Sequence, residues 1–516
     1  MTSWCRSSES RQQRVPFLPP ELAFFLLLGC SATSIDKPNG AGAESSGGAS
    51  TTAGSPSFGG GLVMTGANAR CNDGSLRCRK VDCPADSSPS TTSVSGVVYD
   101  PAGRVPLYNA VVYVVDPSDQ VTLGERAQCE SCSAHFPKKG VLAAALTKAD
   151  GSFRLTDVPA GKKVPLVIQL GKWRREIEIG EVVPCTDNPL RPDQTRLPRN
   201  STEGHLPKIA VTTGGSDALE CLLKKIGVDV AEFTPDSGKG RVNLFSGYRA
   251  AKSVIVNGTS QPLRTAEDLW ASSARMLDYD MILMGCEGEG SLWKLEPTPD
   301  DPPPLPRPVS MQLEVRKYAD MGGRIFGSHW HHRWINSDDT TPDAPYPPAG
   351  PPIASFAKSA VGLEDLAVSV DSSFPKGRAF SEWLLNVGAS PTAGQLALRG
   401  VEHSVDSINP DLARRWIYGS DPKGVVGTNR VPEMVQYFSF TTPVGSAECG
   451  RMVFSDLHVS FGGGDDYHDK PFPTRCDASP DSELSPQEKA LEFMIFDLSS
   501  CIQKEDDEVR SPIIVK

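Results

Sequence analysis

The chain has 516 residues, a hydrophobic fraction of 39% and a net charge of −11. That length accommodates about two to four domains with real cores, and the charge has the wrong sign for binding a nucleic-acid backbone, which needs a clustered basic face. Its 47 Gly and 44 Pro favour strands, turns and linkers over a helical bundle.

At the N-terminus, Arg6, Arg11 and Arg14 form a positive region, and residues 22–28 a short apolar run closed by Gly29 and Cys30. The run is too short to span a bilayer, which takes about 20 residues. Leu27-Leu28-Gly29-Cys30 resembles the bacterial lipobox, which implies a signal peptide over 1–29 and lipidation of Cys30. Ser31 stands where inner-membrane retention would put Asp, so the expected location is the cell envelope, at the outer membrane through a lipid anchor. Glu21 beside the apolar run and the long, Pro-containing n-region depart from the pattern. Residues 30–68, rich in Gly, Ser, Ala and Thr, read as a flexible tether with a reach of roughly 35 Å. Residues 69–91 are a Cys-containing lead-in.

Thirteen cysteines fit an exported chain that forms disulfides. Setting aside Cys5 and Cys30, an even group (Cys71, Cys78, Cys83, Cys129, Cys132, Cys185) precedes an odd one (Cys221, Cys286, Cys449, Cys476, Cys501), so one thiol is left free or pairs outside its group. Cys129-Glu-Ser-Cys132 could alternatively bind zinc or do redox work. Cys221 and Cys286, on adjacent elements, are the expected bridge; catalysis by Cys286 is the other reading.

Residues 92–184 read as a small antiparallel β-sandwich. Strands run through Val94–Tyr99 and Ala110–Val115, and the first ends in the turn Asp100-Pro101-Ala102-Gly103. Asp150-Gly151 between β-formers predicts a hairpin. Residues 164–170 form another strand. Gly96, Asp100, Gly103, Pro106, Ala110 and Asp150-Gly151-x-Phe153 resemble the carboxypeptidase regulatory-like (transthyretin-like) domain. This implies a non-catalytic accessory module that binds carbohydrate or protein. Trp173 reads as core, with Arg174 and Arg175 solvated.

From residue 206 strands alternate with helices. Residues 208–212 form a strand, followed by Gly214-Gly215 and a helix opened by Ser216 or Asp217 and stopped by Gly227. Thr265 caps a second helix. Residues 280–284 read as a buried parallel strand. A helix ending at Gly322-Gly323 leads into a strand over 324–327. Strands over 434–442 and 451–455 follow. A last helix starts at Ser485, with Pro486 at its first position and Glu488 completing a capping box. The expected architecture is therefore multidomain: the sandwich, then an α/β doubly wound domain over 206–501, interrupted by an insertion at about 336–430 of unassigned role, and a charged tail over 502–516. Ligands of such sheets bind outside the carboxyl ends of the strands. There the loops 285–290, 328–332 and 456–464 carry four of the eight His residues.

Gly322-Gly323-Arg324-Ile325-Phe326-Gly327-Ser328-His329 and Asp456-Leu457-His458 resemble the strand-and-elbow and last-strand His of the class I glutamine amidotransferase-like superfamily, in its trehalose-utilisation branch. The resemblance implies a flavodoxin-like fold. The elbow holds His329 in place of a Cys nucleophile, and the partner acid is replaced by Ser460, so glutaminase activity is not expected. The whole arrangement is similar to myxobacterial-type lipoproteins.

The candidate ligand-binding residues are His329, His331, His458, Asp456, Glu287 and Trp330. Three readings stand. His329, His331 and His458 bind a metal, zinc by preference. A polar pocket binds a sugar or anion, with Trp330 and Trp334 stacking and the helix start after Gly214-Gly215 holding an anion. Or the imidazoles are packed remnants of a dead site. The corresponding functions are a non-catalytic envelope lipoprotein binding carbohydrate or another envelope ligand, a degenerate or metal-assisted sugar-directed hydrolase or isomerase, and a scaffold in an envelope protein complex.

Overall fold

The structure, a computed structural model, describes residues 74–513 except 130–131, 289–306, 336–350, 358–364, 422–430, 432, 447–448, 460–469 and 477–482. The signal segment, the tether, Cys30, Cys71 and Ser460 lie outside the described residues. The chain divides into residues 1–66 and 67–516, and every described residue belongs to the second unit.

Seven strands build the first sheet pair: β1 (Ser93–Val97), β2 (Val111–Val115), β3 (Val141–Leu146), β4 (Ser152–Thr156), β5 (Gly161–Leu170), β6 (Trp173–Val182) and β7 (Asp187–Pro189). They form a three-stranded sheet, β4-β1-β7, and a four-stranded sheet, β3-β2-β5-β6. The β4 pattern has period two: Phe153 and Leu155 are buried and Arg154 and Thr156 exposed, as one-sided sheets require. The Asp150-Gly151 turn forms, with Asp150 Oδ1 accepting from the Ser152 amide at 2.8 Å and Gly151 at φ +73°. It is not a hairpin, because β3 and β4 belong to different sheets. The Thr147 hydroxyl donates to the Leu107 carbonyl at 2.6 Å and accepts from the Ala110 amide, which turns the chain from one sheet to the other. Trp173 is fully buried, as expected.

The second system is a single ten-stranded sheet. Its strands are β8 (Ile209–Thr213), β9 (Phe233–Pro235), β10 (Val242–Ser246), β11 (Met281–Met284), β12 (Arg324–Ser328), β13 (Leu366–Val370), β14 (Gln395–Leu398), β15 (Arg414–Gly419), β16 (Met434–Thr442) and β17 (Gly450–Ser455). The order is β14-β13-β15-β16-β17-β12-β11-β8-β10-β9. From β9 to β17 all neighbours are parallel; from β17 to β14 all are antiparallel. Alternate residues of β8 enter different cores: Ile209 and Val211 join α1 (Leu219–Lys225) and the C-terminal helix, while Ala210 joins α2 (Ala266–Trp270) and α3 (Arg307–Asp320). Helices therefore cover both faces, which is why the parallel strands read as continuous apolar runs.

The inserted region finds its place here. Its described parts supply β13, β14, β15 and α4 (Pro375–Asn386), so it widens the sheet on the antiparallel side. The C-terminal helix α5 (Pro486–Ser499) has the expected cap: Ser485 accepts from the Glu488 amide, and Glu488 returns the bond.

The two sheet systems share one hydrophobic core. Tyr108 stacks on Phe493 at 6.0 Å, Trp173 meets Phe496 edge-on at 5.7 Å, and Lys172 pairs with Asp280 in a buried ion pair at 2.5 Å. Disulfides Cys129–Cys449 and Cys132–Cys501 join the sandwich insertion to the α/β part; Cys83–Cys185 closes the sandwich. The Cys129-x-x-Cys132 pair thus consists of two separate staples, not a redox or zinc motif. The expected Cys221–Cys286 bridge is overturned. Cys221 pairs with Cys476, Cα–Cα 5.3 Å, and Cys286 is a free, buried thiol. Cys221 sits on α1 under the 474–476 turn, whose Arg475 faces buried Glu220 at 3.4 Å. Cys286 instead leaves the end of β11 towards His329.

Candidate functional site

Three adjacent parallel strands, β11, β12 and β17, deliver their carboxyl-end loops to one place. Cys286 follows β11 by two residues, His329 follows β12 directly, and His458 follows β17 by three. Their ligating atoms all lie within 4.8 Å of one another. Cys286 Sγ is 3.4 Å from His329 Nδ1, and the His329 and His458 rings are 5.2 Å apart. On the far side of His329, Nε2 lies 3.8 Å from Glu402 Oε2, a charge contact too long for a hydrogen bond. One tautomer suits this geometry: the thiol donates to Nδ1, and Nε2–H faces the carboxylate. His458 Nε2 is buried and has no hydrogen-bond partner.

His329 adopts φ +41°, the left-handed region, which costs a non-glycine residue roughly 1–3 kcal/mol. The backbone turns there as β12 ends, and this aims the imidazole back over the sheet edge. Burial dominates the local electrostatics. It holds His329 well below the ordinary histidine range, with His458, His332 and His331 adding to the effect, and lowers His458 to about 4. Both rings are neutral and have lone pairs to give. The Cys286 thiol is pushed up, first by burial and then by Asp217, and Glu402 is raised to about 7 by burial.

The other expected site residues have different surroundings. His331 donates from Nε2 to the Gly285 carbonyl at 3.1 Å and accepts at Nδ1 from the Trp334 indole at 2.9 Å. With both nitrogens engaged it is not a metal ligand, which corrects the expected His329, His331 and His458 set. Asp456 is buried and accepts from the Ser404 amide at 2.9 Å and hydroxyl at 2.8 Å. Burial raises it to about 7. Glu287 points to the Tyr248 amide at 3.3 Å and is raised to about 8 by burial. Neither carboxylate joins the cluster. Trp334 is 1% exposed and offers no stacking face; Trp330 is half-buried beside His329, ring centres 5.3 Å apart.

Gly214 and Gly215 do not lead directly into a helix, since α1 begins only at Leu219. A Cβ on Gly214 would come within 2.2 Å of the Cys286 carbonyl, so the pair exists to let the β8 loop pack on the β11 loop. Nor does Asp217 cap α1, which starts at Leu219. Fully buried, it accepts from the Ser328 hydroxyl and the Val459 amide, the latter at 2.7 Å, tying the loops after β8, β12 and β17 together. Three parts of the site were not foreseen: Cys286 as a ligand, Glu402, and the Asp217 knot. The only signal was the odd number of cysteines in the C-terminal group, which did not say that Cys286 was the free one.

No known family and no curated protein matches the chain. Among solved structures, a ThuA-like protein from Bacteroides uniformis is 10% identical, covers 48% of this chain and 80% of its own, and superposes with a TM-score of 0.25. That likeness is too distant to carry an argument about fold or function. Among the described residues no helix is long and apolar enough to cross a membrane.

Proposed function

We propose that Cys286, His329 and His458 bind a zinc-type ion, and that the protein is an exported, lipid-anchored envelope protein whose activity is built on that centre. The observation that carries the metal reading is the convergence of one free thiol and two neutral imidazoles within 4.8 Å in a chain whose neighbouring cysteines are oxidised. In a tetrahedral zinc site, S and N ligands are separated by about 3.6 Å, given bond lengths of about 2.3 and 2.0 Å. The 3.4 Å between Cys286 and His329 is close to that edge; closing His458 takes roughly 1 Å. Glu402 behind His329 has the role of the carboxylate that fixes a metal-bound histidine's tautomer. Three protein ligands leave a fourth position for water or substrate, which is the arrangement of catalytic rather than structural zinc.

Export and anchoring rest on the Leu-Leu-Gly-Cys30 pattern, and the four disulfides between described residues fit an oxidising compartment. Carbohydrate binding is the second reading, favoured by the half-buried Trp330 ring beside His329. The metal reading is tested by emission spectrometry on the purified full chain. One zinc per chain is expected, lost in Cys286→Ser, with zinc protecting Cys286 from alkylation. A wild type without stoichiometric metal, whose Cys286 alkylates equally with and without zinc, overturns it.

A further inference from the structure

His458, besides belonging to the cluster, lines a cleft of about 570 Å³ between the antiparallel β13–β14 pair and the start of α5. That volume lies in the range of small-molecule sites, about 300–1,000 Å³. Its walls are mainly apolar, made by Leu366, Leu398, Val459 and Pro486, and no Phe, Tyr or Trp is among the lining residues. A sugar, with hydroxyls all round, would find few partners on such walls and no ring to stack on.

One end is different. Gln487 accepts the Arg399 backbone amide at 3.0 Å and donates to the His458 backbone carbonyl at 2.6 Å, so a single carboxamide ties the two backbones together, and both residues line the cleft. Arg399 is exposed, and its guanidinium pairs with no carboxylate among the described residues. The rim acid Asp365 instead accepts from the Gly400 amide at 3.2 Å. An unpaired cation and a histidine of the candidate metal cluster lining one mainly apolar trough fit a ligand with an anionic head and an apolar body.

We infer that this cleft is the ligand groove of the metal centre and takes a small carboxylate with an apolar tail. The head lies where Arg399 and His458 converge, and the tail covers Leu366, Leu398 and Val459. The inference rests on the metal reading only for the statement that the head meets the centre.

The test is calorimetric titration of the full chain with decanoate below its micelle concentration, with decanol and trehalose as comparison ligands. Decanoate is expected to bind at one site. Arg399→Ala should weaken it tenfold or more, to the level of decanol. Ala397→Trp, which fills the cleft from an exposed position, should abolish it, with zinc content unchanged in both variants. Absence of decanoate binding, binding indifferent to both substitutions, or displacement by trehalose overturns the inference. A protein that holds zinc and ignores decanoate loses this inference and keeps its metal centre. One that binds decanoate in the cleft without any zinc loses the metal reading and the head–metal contact with it.

Discussion

His329 and His331 are two residues apart on one turn, yet the fold uses them in opposite ways. His331 is held by two hydrogen bonds inside the core, and removing its ring takes away the acceptor of the Trp334 indole and the donor to the Gly285 carbonyl. His329 sits in a left-handed conformation with a buried nitrogen that makes no hydrogen bond. We therefore expect His331→Ala to cost on the order of 2–4 kcal/mol. His329→Gly, which relieves about 1 kcal/mol of backbone strain, should leave the metal-free protein within about 1 kcal/mol of wild type while abolishing zinc binding. Denaturant melts with metal analysis check both; the reverse ranking would place the structural role on His329. Periodicity could not separate these two imidazoles. Their tautomers are set by Gly285, Trp334, Cys286 and Glu402, all distant in sequence except Trp334.

Helix α5 shows how local and long-range chemistry divide at the scale of an element. Its start was legible in the sequence, because Ser485, Pro486 and Glu488 satisfy the first-turn amides within one turn of chain. Its middle was not. Glu492 is fully buried with neither carboxylate oxygen hydrogen-bonded, and it feels the charge of Asp100 in the sandwich, whose Oδ2 is also unpaired. Burial raises Asp100 to about 6, against the lowering effect of the Arg104 and Val105 amides and the Arg104 charge. It raises Glu492 well above the ordinary range, with Asp100 adding to the rise and Arg104 and Lys489 opposing it. Both folded-state values lie above the unfolded ones. The stability from these protonated carboxyls is therefore fully present below about pH 4 and is lost as pH rises, for Asp100 through about 6. Glu492→Gln should raise stability at pH 8 by on the order of 2 kcal/mol and change little at pH 4. Melting curves at the two pH values test this; an equal effect at both would mean that folding does not raise the Glu492 pKa.

For the whole molecule, the sandwich is not a detachable accessory. It shares a core with α5, and two disulfides of sequence separation 320 and 369 fasten it to the α/β part. Cross-links over such long loops restrict the unfolded chain strongly. The sequence showed two modules because each has its own strand periodicity, and periodicity says nothing about the face by which one sheet system meets another. The anchor proposed at Cys30 is a property of the whole chain as well. Cys30→Ala should yield a precursor that incorporates no labelled fatty acid and no longer partitions into detergent; equal labelling of mutant and wild type would refute the anchor.

What the sequence determined by itself was local. Apolar runs over 208–212, 280–284 and 324–327 marked the parallel strands to within a residue, glycines at 227 and 322 ended helices at φ +98° and +105°, and the β11, β12 and β17 loops were marked as the place where chemistry would sit. The tertiary structure decided which side chains meet there. Cys286 became a metal-ligand candidate instead of half a disulfide because the 474–476 turn brought Cys476 over Cys221. Glu402 entered the site because the insertion folded back as strands added to the sheet beside β16. Both outcomes depend on register and packing between segments more than a hundred residues apart in places, a distance over which residue spacing carries no geometric information.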